Sequence, residues 1–182
     1  MDLVDLIVEK KFLGQDFLTW LWWKSEERGG SIYLPSSGDI TVVFEKHMLL
    51  ESGEGETSEK IICSGLQAEL QEARTGLKMG KKLEQARVVL TKDDYEFSFT
   101  LAAALMEFRN VRLPKTELPE GRDVNDEKEM EGLILERIFL IEELIRLVNE
   151  LFLLFLEVRI SPEWEEELLK IGDWINSAAD SL

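Results

Sequence analysis

Few residues in this chain could do covalent or acid–base chemistry. There is one histidine, His47, and one cysteine, Cys63, among 182 residues. Nucleophilic catalysis needs a base beside its nucleophile. Ile40, Val42, Phe44, Met48 and Leu50 share one strand parity, which puts His47 with Thr41 and Glu45 on the polar face of that strand. Cys63 follows Ile61 and Ile62 and reads as a small core residue. A His47–Cys63 pair across neighbouring strands stays open, and with it a hydrolase reading. Zinc sites built from Cys and His are excluded by count. Glu54 with Glu56, and Asp93 with Asp94, lack the ligand spacing of an EF-hand. Met79-Gly80-Lys81-Lys82 lacks the first glycine and the Ser/Thr of a phosphate loop. The chain is therefore expected to be non-enzymatic, with no catalytic residue, metal or cofactor.

What remains is charge. Residues 64–114 carry eight basic side chains against seven acidic ones, in a protein of net charge −16. The flanking stretches are acidic: six against twelve over residues 1–63, and seven against eighteen over residues 115–182. A local basic patch in a negative exterior suits contact with a polyanion. Arg74, Lys78, Lys81 and Lys82 run through a helix end and a connector, a spacing able to follow phosphates without reading bases. Arg87 falls on the parity opposite Ala86, Val88 and Leu90 and is expected to project from the exposed strand face. The Trp20-Leu21-Trp22-Trp23 cluster could stack bases. Asp16, Glu26 and Glu27 surround it, so it reads instead as core or as a partner interface.

These residues need elements to position them, and the pattern is α+β: antiparallel strands with packed helices and a long C-terminal helix. Residues 2–10 read as a short amphipathic helix, Phe12-Leu13-Gly14 as a turn, and Gln15–Glu27 as a second helix ended by Gly29-Gly30. In that helix Phe17, Trp20 and Leu21 form the inner face, with Trp22 and Trp23 at its flanks. Ser31–Leu34 partners the strand over residues 40–50, a loop covers residues 52–58, and Glu59–Ser64 returns as a strand. Leu66–Leu77 reads as a helix. A meander follows: residues 86–90, a turn at Lys92-Asp93-Asp94, residues 95–101, and Phe108–Leu113 ending at Pro114.

Residues 1–114 thus form a mixed helix and strand region, 115–125 a linker and 126–182 a helical region, together one compact unit. Asp126 is placed to cap a helix running to about Val158. Its apolar residues fall in three heptad stripes: Ile134/Ile141/Val148/Phe155, Ile138/Ile145/Phe152 and Leu144/Leu151/Val158. That face is wider than a two-stranded seam and implies packing on the sheet or on a second copy of the chain. Ser161-Pro162 starts a last helix carrying Trp164, Leu168, Ile171, Trp174 and Ile175. The longest apolar run, Leu151–Leu156, is far short of the roughly 20 residues of a membrane span. With one cysteine and an acidic N-terminus unlike a signal peptide, the chain is expected to be cytoplasmic.

From Gly76 to about Arg159 the chain resembles the C-terminal part of the recombination-associated protein RdgC family. The stretches that carry the likeness are LKMGKKLEQARVVLTKDDYEFSFTL, LMEFRNVRLP and the helix RIFLIEELIRLVNELFLLFL. The resemblance implies a non-enzymatic, nucleoid-associated accessory protein that binds duplex DNA without sequence preference and modulates recombination. It also implies a ring-shaped homodimer and contact with the recombination machinery. Lys78, Lys81, Lys82 and Arg87 would carry the DNA role, with Arg109 and Arg112 behind them. Family chains are longer, and residues 1–63 show no match, so a chain keeping one of the ring's interfaces would form an open clamp or a simple dimer. The rival expectation is an acidic interaction module, or DNA mimic, whose carboxylate-rich C-terminal third binds a basic protein.

Overall fold

The computed structural model describes residues 11–52, 59–64, 68–115 and 127–177. The expected helix over residues 2–10, the loop tip at 53–58, most of the linker and the Asp126 cap lie outside these residues. Helix α1 (Lys11–Glu26) and a 3-10 turn (Glu27–Gly30) lead into strands β1 (Ser31–Leu34), β2 (Gly38–Ser52) and β3 (Glu59–Ser64). Helix α2 (Ala68–Lys78) precedes strands β4 (Lys82–Lys92), β5 (Tyr95–Ala102) and β6 (Glu107–Arg112). Helices α3 (Glu127–Ile160) and α4 (Glu163–Ser177) complete the described chain. The fold is α+β, as the alternating and helical periodicities imply.

All strand pairs are antiparallel, in the order β1-β2-β4-β5-β6. The long β2 is bordered on one side by β1 along its first part and by β3 along its last, and on the other side by β4. Ile40, Val42, Phe44, Met48 and Leu50 of β2, Val88 and Leu90 of β4, and Phe97, Phe99 and Leu101 of β5 are buried, so one sheet face is the core face. The β2–β4 ladder bulges between Phe44 and Met48. Phe44 pairs with Val88 and the next register partner, Ala86, is met by Met48, so two extra β2 residues are absorbed and parity survives.

Helix α1 lies on the core face and is the aromatic centre of the molecule. Phe17 meets Phe152 and Phe155 of α3 at 5.2 and 5.6 Å between ring centroids, and Trp22 meets Phe44 and Trp174. All of Trp20, Leu21, Trp22 and Trp23 are buried, the last beneath Lys24 Nζ at 4.3 Å. The two tryptophans expected at the flanks are buried because α1 is covered on more than one side, by the sheet, α3 and α4. The expected turn at Phe12-Leu13-Gly14 is helix instead. Gly14 is there for close approach: a Cβ on it would stand 2.0 Å from the carbonyl oxygen of Ala103.

The α3 stripes divide along the helix. Leu140, Leu144, Leu147, Val148, Leu151 and Phe155 are buried, whereas Ile134, Ile138, Ile141 and Ile145 are 42–53% exposed. The C-terminal half is therefore a core element and the N-terminal half overhangs. Ser161 caps α4, its Oγ accepting the Glu163 amide at 3.2 Å. Trp164 and Ile171 are buried, but Leu168, expected on the inner face, is exposed. Among the described residues no helix is long and apolar enough to cross a membrane.

Candidate nucleic-acid interface

The seven basic residues singled out from the sequence divide into three groups. Arg74 and Lys81 are engaged in holding the fold. Arg74 donates to the Trp174 carbonyl and to Ser177 Oγ, lies 3.8 Å from Glu26 Oε2, and stacks its guanidinium 4.7 Å from the Trp174 ring centroid. It ties α2 to α4.

Lys81, expected to reach phosphate, is 6% exposed and turned inward. Helix α2 ends in a Schellman motif: the Gly80 amide donates to the Leu77 carbonyl at 2.9 Å and the Lys81 amide to the Gly76 carbonyl at 3.0 Å. Gly80, at φ 86°, supplies the left-handed position this motif needs. Lys81 follows directly, with its stem beside Gly76 and its Nζ bonded to Ser52 Oγ at 3.3 Å and Glu59 Oε2 at 3.0 Å. The Met79-Gly80-Lys81 segment is thus a helix stop.

Lys78 and Lys82 are the second group, both exposed, at the end of α2 and the start of β4. Burial raises the pKa of the Asp16 carboxyl, a rise that the charges of Lys82 and Arg159 reduce without reversing. Just beyond Lys82 the ladder bulges again. Leu50 pairs with Leu83 and Leu49 with Gln85, so Glu84 is extra; it is buried and accepts the Gln15 amide.

Arg87, Arg109 and Arg112 form the third group, and the sheet brings these together. Arg87 pairs with Thr100, and Thr100 with Arg109, a row across β4, β5 and β6 on the face opposite the core. Arg112 pairs with Ser98, one repeat further on the same face. Residues three apart on a regular strand point to opposite faces. Arg109 and Arg112 share a face because β6 bulges between them, with Asn110 in the left-handed region at φ 50°. No periodicity in the sequence marks this; an Asn between two arginines is its only trace.

Carboxylates moderate the cluster. Arg87 Nε bonds Glu45 Oε2 at 2.6 Å and its Nη2 bonds Ser98 Oγ at 2.8 Å. Arg109 bonds Glu107 Oε2 at 2.6 Å and Gln85 Oε1 at 3.3 Å. That pairing lowers the Glu107 pKa and raises that of Arg109, in each case chiefly through the hydrogen bond between them. Arg112 is exposed and has no partner among the described residues. Among the described residues the face offers one guanidinium without a partner and two that a phosphate could share with their present carboxylates.

His47 and Cys63 do not meet. Met48 is the register partner of Cys63, so His47, one residue before, points to the other face; it is exposed whereas Cys63 is buried. No group of three or more His, Cys, Asp or Glu able to hold a metal occurs among the described residues. Comparison with known protein families, with characterised proteins and with solved structures finds no match to this chain.

Proposed function

We propose that this protein is a DNA-binding accessory protein of the recombination-modulating kind, which holds duplex phosphates against the outer face of its sheet. The observation that carries the reading is the β6 bulge, which sets Arg112 beside Arg87 and Arg109 on one face. Guanidinium groups there can bond phosphate oxygens without touching base edges, so binding is indifferent to sequence. Lys78 and Lys82 are further exposed cations that a longer duplex could reach. In this reading the chain works as a pair: Ile138, Ile141 and Ile145, at the spacing of a helical seam, meet the same residues of a second copy.

A salt titration of duplex binding, read by fluorescence anisotropy, tests it. Two or three phosphate contacts per chain, doubled in the pair, predict a slope of log affinity against log salt of about −4 to −5. Binding that ignores salt, or absent binding at low salt, would refute it. A second reading, an acidic module that docks on a basic protein, draws on α4, where Glu163, Glu165 and Glu166 are exposed along with Leu168 and Leu169. Retention of a basic protein with no retention of DNA would favour it.

A further inference from the structure

The overhanging half of α3 stands over the far end of β6, and between them is a cleft of about 700 Å³. Its walls are Val111, Leu113 and Pro114 on one side and Met130, Leu133 and Ile134 on the other, with Lys115 and Arg137 among the lining residues. Of these, Val111, Met130 and Ile134 are exposed, an apolar surface open to solvent.

Three features of this place point to the same occupant. The first is the strand edge. β6 is the last strand of the sheet: β5 holds one of its edges and no described strand pairs with the other. An unpaired edge offers a row of amides and carbonyls to an added strand. The second is the pleat. Val111 and Leu113 line the cleft, while Arg112 between them belongs to the outer face. A strand laid beside this stretch would alternate likewise, every second side chain facing the apolar wall of α3 and the others lying beside Arg112.

The third feature is charge. Arg112, Lys115 and Arg137 are exposed and have no partner among the described residues, in a protein of net charge −16. Glu131 and Glu136, on the same turns of α3, are not among the lining residues. Cations without a described partner around an apolar cleft select against like-charged cationic segments and for anionic ones.

We infer that this cleft binds an extended peptide of alternating apolar and acidic residues, which joins the sheet as a strand beside β6. The apolar side chains pack on Met130, Leu133 and Ile134 and the carboxylates lie beside Arg112, while Lys115 and Arg137, lining the cleft, favour the acidic peptide through their field. The inference shares Arg112 with the DNA reading but otherwise rests on the cleft side of β6 and on α3, so Arg137→Glu and Ile134→Asp test it apart from that reading.

The test uses the full chain and three fluorescein-labelled hexapeptides: alternating Glu and Val, alternating Lys and Val, and a block peptide of three Glu then three Val. Binding is read by anisotropy, and amide hydrogen exchange of β6 is measured with and without peptide. The expected result is salt-sensitive binding of the alternating acidic peptide in preference to the other two, with slowed exchange in β6. Arg137→Glu and Ile134→Asp, both at exposed positions, should each weaken it by about tenfold or more. Unchanged circular dichroism of these variants separates lost binding from lost folding.

Equal binding of the lysine peptide, no binding of the acidic peptide at millimolar concentration, or unchanged β6 exchange would each overturn the inference. So would duplex DNA displacing the peptide in the wild type but not in Arg137→Glu, which would make the cleft a phosphate site. Undiminished DNA binding in an Arg109→Glu variant that still binds the peptide would count against the sheet-face reading alone.

Discussion

Glu143 shows how α3 is fastened, and replacing it by Gln gives a prediction with a worked size. Its carboxylate takes Arg146 Nη2 at 2.6 Å and Lys92 Nζ at 3.0 Å, linking α3 to the end of the β4–β5 hairpin. Arg146 also donates to Ser37 Oγ at 2.6 Å and reaches Glu150 at 3.4 Å, while Glu150 accepts the Ser36 amide at 2.6 Å. The hydrogen bond from Arg146, against the opposing effect of burial and with the help of Lys92, holds the Glu143 carboxyl at about 2 where 4.5 is ordinary. At roughly 1.36 kcal/mol per pH unit that difference sets an upper bound of about 3 kcal/mol. Glu143 is 14% exposed but Arg146 is 43% exposed, and solvent screening brings the expected contribution to about 1–2 kcal/mol.

A depressed carboxyl stabilises the fold above its unfolded pKa and loses that effect as pH falls through the folded one. The contribution of Glu143 should therefore be full near neutrality and fade between about pH 4.5 and 2. Urea unfolding of wild type and Glu143→Gln across this range checks it. The wild type should be more stable by about 1–2 kcal/mol at pH 7, and the two curves should converge as pH approaches 2. Equal midpoints at pH 7, or a gap that persists undiminished in acid, would refute the reasoning.

Gly14→Ala should cost about 2–3 kcal/mol, since the new methyl meets the Ala103 backbone and α1 must lift from the sheet. Thermal unfolding should show it as a drop of roughly 5–10 °C. Trp174→Ala removes the edge-to-face contact with Trp22 at 4.9 Å, the bond to Glu26 at 2.6 Å and the surface under Arg74; denaturant unfolding should register a loss of about 2–3 kcal/mol. Lys81→Met keeps the buried stem and drops the charge facing the exposed Glu59, so stability should stay within about 1 kcal/mol of wild type.

Much of this architecture was legible in the sequence because most of it is periodic. Alternation marked the core face of β2, β4 and β5, and the Ser-Pro pair marked the start of α4. What escaped was local and set by tertiary contact. Gly14 has the look of a turn residue, and only the carbonyl of Ala103 beside it explains why helix needs it. Heptads told that α3 is apolar, not where along its length the sheet stops covering it.

The basic island fared unevenly for the same reason. A helix-capping geometry took Lys81 inward, and an α2–α4 contact absorbed Arg74. By strict alternation Arg109 and Arg112 belong on opposite faces, and a bulge centred near Asn110 unites them. Count and charge pointed to a polyanion; the geometry moves the candidate contacts from the Gly-Lys connector to the sheet.

The most direct measurement is duplex-DNA affinity at low salt for wild type, Arg112→Glu and Lys81→Gln. The account predicts that Arg112→Glu weakens binding by about tenfold, whatever the DNA sequence, and that Lys81→Gln leaves it unchanged. Binding lost with Lys81→Gln and kept with Arg112→Glu, or no binding by any of the three, would contradict it.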